Sequence, residues 1–570
     1  MIQHNDKETL KPEQEYPLIR TVVDQDLAIA KNSPNTTENV DDQSLKYLNL
    51  EDSKNDEFCL EANLSSDTSD STTDKNINEI DTSTVKDKSA KKNVVFNVLY
   101  KLTLAIPPLI LVPYLARTLG PSKLGDYEFI VSISQYFSLF AGLGVAYYGQ
   151  REIAKHRGDR GTQTKVFFEI IIFRFIFVLI SLLVDVVLIL SNVYGARTML
   201  MWFCLIRVFS VGCDISFMFT GNENFAIFFV RNLIIRSISL FAIIYFVKSE
   251  DDLLKYALIV ALEAVITNAS IIPYLKKYLC RFKGKLKIWS HATAIFRLFI
   301  PSLAVNLYTT INKTAIGLIK LTEDVAYFTQ GEKIISMCLV LITSITPVLI
   351  PRMVKAYKSK NSTQANQFIQ KSLKFMFFIT APLMFGIIAI SRIFVPFFLS
   401  ESYNPTIIVL MILPFAIFPL VISNVLGMQY LIPSNKDKEF SVSIVAGAIT
   451  SICLSILLTY LCGFIGTTIA YILTEICVTV VQMYYAKKDI SPIQILKYSV
   501  KYLIVGFIMF VGVFATSFIM KPNITGVSLL ILESAMIYVL GMIITKDEIF
   551  LEILKMMKTV FRRNTIKKQQ

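Results

Sequence analysis

An all-α integral membrane protein of about 14 transmembrane helices is the fold class this sequence predicts, and three observations predict it. Of its 570 residues 53% are hydrophobic and only 18% charged, with a mean hydropathy of +0.53, far from a soluble composition. From residue 94 onward, apolar runs follow one another at the length of about 20 residues that a bilayer core of about 30 Å requires. The connections between these runs alternate between basic and nearly bare, as the cytoplasmic preference of Lys and Arg dictates.

Residues 1–92 are a different object. They hold 20 Asp and Glu against 11 Lys and Arg, about −9, whereas the remainder carries about +22 within an overall +13. Rich in Asp, Ser, Thr and Asn and without apolar periodicity, they read as a disordered acidic cytoplasmic tail. The start MIQHNDKETL has no apolar stretch behind a basic one, so the first span is expected to act as the insertion signal. Eight cysteines are scattered without CxxC or metal-ligand spacing and read as small apolar fillers; no metal site is expected.

The predicted spans are 94–116, 127–149, 166–192, 197–219, 232–247, 252–275, 295–320, 325–350, 372–398, 406–432, 440–461, 463–486, 498–519 and 523–544. With the tail inside, the inside connections include REIAKHRGDRGTQTK, KKYLCRFKGKLK and RMVKAYKSKNSTQANQFIQK, all basic, and the outside ones SNVYGA, KSEDD, LTED, SESYNP and MKPN, all short. Both termini are therefore placed in the cytoplasm. The last segment, 546–570, has Ile549, Ile553, Met557 and Val560 at helical spacing among Lys and Arg, the pattern of an amphipathic helix on an anionic leaflet or of a basic tail that orients the last span.

Ionisable residues inside these runs are the functional signal, because each costs at least about 2.5 kcal/mol at bilayer depth and turns toward protein or water. Arg207 and Asp214 share a face of span 4, Arg174 and Asp185 a face of span 3, and Ser302, Asn306, Thr310, Lys313 and Gly317 form a stripe on span 7. Lys101, Glu263, Glu332, Lys333 and Glu475 complete the set. Such stripes either lock helices pairwise or line one hydrated interior. The cations Lys101, Arg174, Arg207, Arg236, Lys313 and Lys333 are the candidates for a phosphate-bearing substrate, because guanidinium and ammonium groups give phosphate charge-assisted bonds. Asp185, Asp214, Glu263 and Glu475 are the candidates for carrying a coupling ion, proton or sodium. In FTGNENFAIFFVRNLIIR, Arg231 and Arg236 are 140° apart on a helix, so Arg236 is assigned to the interior, Arg231 to the headgroups and Glu223 to the turn.

RTLGPSKLGDYEFIVSISQYFSLFAGLGVAYYGQREIAKHRGD, DISFMFTGNENFAIFFVRNLIIR, FIPSLAVNLYTTINKTAIGLI, VLIPRM, QYLIPSNKDKE and GFIGTTIAYILTE, in this order over about 94–488, resemble the polysaccharide transporter (Wzx-type oligosaccharide flippase) family. That resemblance implies two six-helix lobes in a V around a central cavity, with two further C-terminal helices, and alternating access. It divides the chain into an N-lobe (93–275), a basic cytoplasmic lobe linker (276–294), a C-lobe (295–488), two last spans (489–545) and the basic tail. The sequence departs from the family pattern at Asn312, where an acidic residue usually precedes the lysine, and at Thr467, where an alanine follows the glycine.

The expected function is translocation of polyprenyl-diphosphate-linked oligosaccharide repeat units across a bacterial cytoplasmic membrane for exopolysaccharide or capsule synthesis. The expected partners are that lipid-linked glycan, membrane lipids and the polysaccharide assembly machinery; no nucleic acid, no enzymatic activity and no cofactor beyond a coupling ion are expected. A cation-coupled multidrug exporter of the same fold is the alternative. A membrane polymerase or ligase fits less well, because no outside connection is long enough to hold a polymer.

Overall fold

The structure is a computed structural model that describes residues 82–555 except 223–225, 283, 344–345, 347–348, 351–352, 355–356 and 358–361; of 82–106, 226–229, 301, 341 and 362–364 it describes the backbone alone. Contacts divide the chain into Met1–Glu79, outside the described residues, and Ile80–Gln570, to which everything below belongs. Among the described residues there is no strand. In a bilayer, backbone groups can be satisfied only within helices or closed barrels, and the uninterrupted apolar runs select helices.

The first helix, α1 (Thr82–Gly142), begins ten residues before the expected end of the acidic tail, since KDKSAKK contains good helix formers and extends the first span as helix. After it come α2 (Val145–Lys155), α3 (Arg160–Leu190), α4 (Thr198–Gly212), the short α5 (Ser216–Gly221), α6 (Ala226–Phe246) and α7 (Leu253–Ala269). Then follow α8 (Ala292–Ile319), α9 (Thr322–Thr343), α10 (Ser362–Phe398), α11 (Thr406–Ile412), α12 (Ile417–Asn424), α13 (Asp437–Ala486), α14 (Pro492–Ser517) and α15 (Ile524–Ile544). A π-helical stretch, Val425–Leu431, continues α12.

Among the described residues the predicted runs fall mainly on helix, with 127–149, 197–219 and 252–275 interrupted at 143–144, 213–215 and 270–271. By length and hydropathy nine described helices suffice to cross a membrane, or ten if the pair Ile288–Ile300 and Ser302–Ile319, bent by 43°, is one span. Two of the nine, Pro107–Lys155 and Asp437–Ala486, each hold two predicted runs. The two runs of each meet at a single glycine in the left-handed region, Gly120 (φ 68°) within the polar RTLGPSKLGD and Gly463 (φ 60°) beside Cys462. At Gly463 the chain folds back on itself. Thr459 and Thr467 would be about 12 Å apart along a straight helix, yet their hydroxyl oxygens are 2.6 Å apart. A Cβ on Gly466 would lie 1.8 Å from the Leu458 carbonyl oxygen, so the two arms touch through their backbones.

The segment read as a lobe linker is fastened to α2 and α3 at one end of the bundle. The Tyr148 hydroxyl and His291 Nδ1 are 2.6 Å apart, His291 Nε2 and Glu169 Oε2 2.8 Å, and the Lys287 amide donates to Glu169 Oε1 at 2.7 Å. Trp289 meets the edge of Phe173 at 5.7 Å. The last two spans, α14 and α15, pack on α10, where the Tyr538 hydroxyl donates to the Phe378 carbonyl. The final described helix, 548–555, docks on protein rather than presenting its whole apolar side to lipid: Ile549 is buried, Lys501 pairs with Asp547 at 2.7 Å and Lys374 with Glu548 at 2.8 Å. Met557 and Val560 lie outside the described residues, as does Glu223.

Candidate transport cavity

Four helices, α1, α6, α7 and α9, enclose a cavity of about 580 Å³. That volume is within the range of ligand pockets. The α1 wall is apolar, formed by Pro107, Pro108, Leu111, Val112 and Leu115, and the opposite walls carry the polar groups. On α9, Gln330, Lys333, Met337 and Val340 follow one another at spacings of 3, 4 and 3 and so share a face. Arg236 and Ser239 come from α6, Tyr256 and Glu263 from α7.

Charges meet in pairs around this space. Lys333 Nζ is 2.5 Å from Glu128 Oε1 on α1, and Lys313 Nζ of α8 is 2.8 Å from Glu332 Oε2. Glu332 and Lys333 are consecutive, so they diverge by about 100° and bind different helices. Ser239 Oγ donates to Glu263 Oε2 at 2.6 Å, and Arg207 reaches into the same group from α4, within electrostatic range of Tyr127, Tyr256 and Glu128. Among the described residues the group holds four cations, Arg207, Arg236, Lys313 and Lys333, and three carboxylates, Glu128, Glu263 and Glu332.

Of the residues singled out in the sequence, Arg236, Lys333 and Glu263 line the cavity, and Arg207 and Lys313 adjoin it through Glu128 and Glu332. The carboxylate that the sequence lacks at Asn312 is supplied to Lys313 by Glu332 from the next helix, while Asn312 accepts from Ser455 at 2.6 Å. The side chain of Lys101 lies outside the described residues. Arg231 bonds Asn232, its own neighbour.

Arg174, Asp185, Asp214 and Glu475 do not line this cavity. Arg174, 1% exposed, donates to the Asp214 and Val211 carbonyls beyond and within the last turn of α4 and lies over the Phe217 ring. The Asp214 carboxylate accepts from the Ser216 amide at 2.9 Å and shapes the turn into α5. Asp185 is fully buried and accepts from the Tyr194 hydroxyl; Glu475 is buried between Tyr308 and Tyr471. Arg174 thus ties α3 to the end of α4, the helix-locking role, rather than lining the cavity. Arg174→Met is expected to lower the melting temperature in detergent, since a hydrogen bond from a charged group contributes about 1.5–3 kcal/mol; unchanged melting with lost transport would put Arg174 on the substrate path instead.

One end of the bundle is closed by polar contacts. Asp126 receives Arg197 Nε at 2.6 Å and the Thr322 hydroxyl at 2.9 Å, and a Cβ on Gly125 would stand 1.9 Å from the Thr322 carbonyl oxygen. Sequence reasoning missed Glu128, the second residue of the run 127–149. It also missed Gln330, which is uncharged.

The sequence model of the polysaccharide biosynthesis protein family matches residues 90–357. A protein of Escherichia coli (strain K12) described as "Putative O-antigen transporter" is 25% identical over 419 residues, covering 70% of this chain and 97% of that protein. Among solved structures, a lipid II flippase MurJ in an inward closed conformation superposes with a TM-score of 0.63 at 17% identity, covering 80% of this chain and all of that one. An inward-facing multidrug resistance MATE family transporter of the MOP superfamily gives 0.51 at 16% identity, covering 71% and 95%. The structures establish the fold, an all-helical multi-pass transporter fold, and the resemblance to polysaccharide transporters carried by the sequence motifs is borne out.

Proposed function

We propose, on the premise that this chain is a polysaccharide-transporter relative with a flippase-like fold, that it moves polyprenyl-diphosphate-linked oligosaccharide units across a bacterial cytoplasmic membrane for exopolysaccharide or capsule synthesis. The observation that carries the reading is the composition of the cavity. One wall is apolar, the facing helices present Arg236 and Lys333 with Glu263, and Arg207 and Lys313 stand behind them in the ion-paired group of Glu128 and Glu332. A diphosphate joined to a polyprenyl chain needs both: cations for its oxygens and a route along which the chain stays in hydrocarbon.

On the charge rule, the end closed by Asp126, Arg197 and Thr322 belongs to the sparsely basic outside connections. The cavity is then the loading state of an alternating-access cycle, with both termini in the cytoplasm, and Glu263, bonded to Ser239 on the cavity wall, is the best placed carrier of a coupling proton or sodium ion.

The test is flipping in proteoliposomes, read as exposure of a polyprenyl-diphosphate-linked glycan to a membrane-impermeant glycan-modifying reagent. Protein-dependent exposure is expected, with a loss of at least about tenfold in Arg207→Glu at unchanged membrane levels, one lost interaction of about 1.4 kcal/mol or more. Normal flipping by that variant would remove Arg207 from the site. No exposure with any glycan, together with proton- or sodium-driven dye efflux, would replace the flippase by a cation-coupled exporter.

A further inference from the structure

We infer that Gln330 is the residue that reads the sugar next to the diphosphate, by bonding two neighbouring hydroxyls of its ring; the inference rests on the flippase reading above. Gln330 has no measurable exposure, lines the cavity, and neither its Oε1 nor its Nε2 has a hydrogen-bond partner. A buried carboxamide left without partners destabilises the fold, and a Met or Leu of similar volume would fill the place without that penalty. Asn312 and Asn268 of the same bundle are satisfied, the first by Ser455 and Tyr308, the second by the Ser210 carbonyl. Gln429 is also buried without partners, but it does not line the cavity. Gln330 therefore combines an unmet bonding capacity with a place in the cavity wall, where a shift of the side chains covering it presents the amide to an incoming ligand.

The chemistry of that ligand follows from the side chain and its neighbour. A carboxamide presents a donor and an acceptor side by side in one plane. Phosphate oxygens at neutral pH chiefly accept, and an alkyl chain does neither. Adjacent ring hydroxyls offer one donor and one acceptor at matching spacing. Lys333 is three residues on, on the same face, about 5–6 Å away at Cβ. A diphosphate oxygen held by Lys333 thus brings the first sugar, and no later one, to Gln330.

The experiment uses the full chain in proteoliposomes with polyprenyl-diphosphate-linked hexose and its 2-, 3- and 4-deoxy analogues, with and without Gln330→Met. The wild type is expected to flip the parent about 10-fold to 100-fold faster than the analogues lacking either hydroxyl of one adjacent pair, as expected when one buried donor or acceptor of the site is left unmet. Gln330→Met is expected to flip all four lipids at the slow analogue rate, with unchanged inhibition by polyprenyl diphosphate that carries no sugar. Gln330→Asn, which keeps the amide but withdraws it by one methylene, serves if the methionine variant does not insert, and the same loss of discrimination is expected. Discrimination that survives substitution, or a wild type that flips all four alike, overturns the inference while leaving the flippase standing. A wild type that flips none of them removes the reading and the inference together.

Discussion

Lys333→Glu is expected to abolish flipping, and Glu128→Lys combined with it is expected to restore the protein without restoring transport. The single change sets two carboxylates where an ion pair of 2.5 Å stands, with Glu128 nearly buried, and breaking such a pair costs about 3–5 kcal/mol. Low membrane levels or a depressed melting temperature are therefore expected for it. The double variant re-forms a pair of opposite charges between α1 and α9, so insertion and melting should recover. Its cation now sits at position 128, which does not line the cavity, and a carboxylate faces the place assigned to the diphosphate. Flipping should stay at least about a hundredfold below wild type, the equivalent of about 2.7 kcal/mol. Wild-type flipping by the swapped protein would show that Lys333 serves only to tie two helices together, and would take it out of the site.

What the sequence made legible, and what it hid, follows from the physics of each signal. A helix in lipid announces itself because about 20 apolar residues have no other use, and α3, α10, α14 and α15 stand where those runs predict. The turns at Gly120 and Gly463 lie in or beside the gaps 117–126 and 462 between predicted runs; what the sequence did not show is that a single glycine at positive φ marks each within one continuous helix. Depth in the membrane identified Arg236, Lys333 and Glu263 as unusual. Depth does not say which way a charge turns, and Arg174 turns to the Val211 and Asp214 carbonyls at the break that follows Gly212, a feature no helical wheel contains. The partner of Lys313 was invisible for a related reason: Glu332 is 19 residues away in sequence and adjacent only once α8 and α9 pack. Gln330 escaped because a neutral amide lacks the penalty that makes buried charges conspicuous.

The closed end supplies the second large effect, in opposite directions for two substitutions. If this end must open and close in each cycle, holding it in either state stops transport. In a background without the eight native cysteines, Asp126→Cys with Thr322→Cys places two thiols where a hydroxyl and a carboxylate now stand 2.9 Å apart. Cross-linking with a short thiol reagent is expected to reduce flipping to the protein-free rate, and a reducible reagent to return it on reduction. Gly125→Val acts the other way. Its side chain would meet the Thr322 carbonyl at a separation that real Cβ atoms do not adopt, so the end cannot close as it does here. That variant is expected to insert normally, because the clash disappears in the open state, to lose at least about tenfold in flipping, and to leave a thiol at position 126 accessible from the outside when the wild type protects it. Full transport by the cross-linked protein would show that the Asp126 and Thr322 contact is a fixed seam, and the moving parts would then have to lie elsewhere in the bundle.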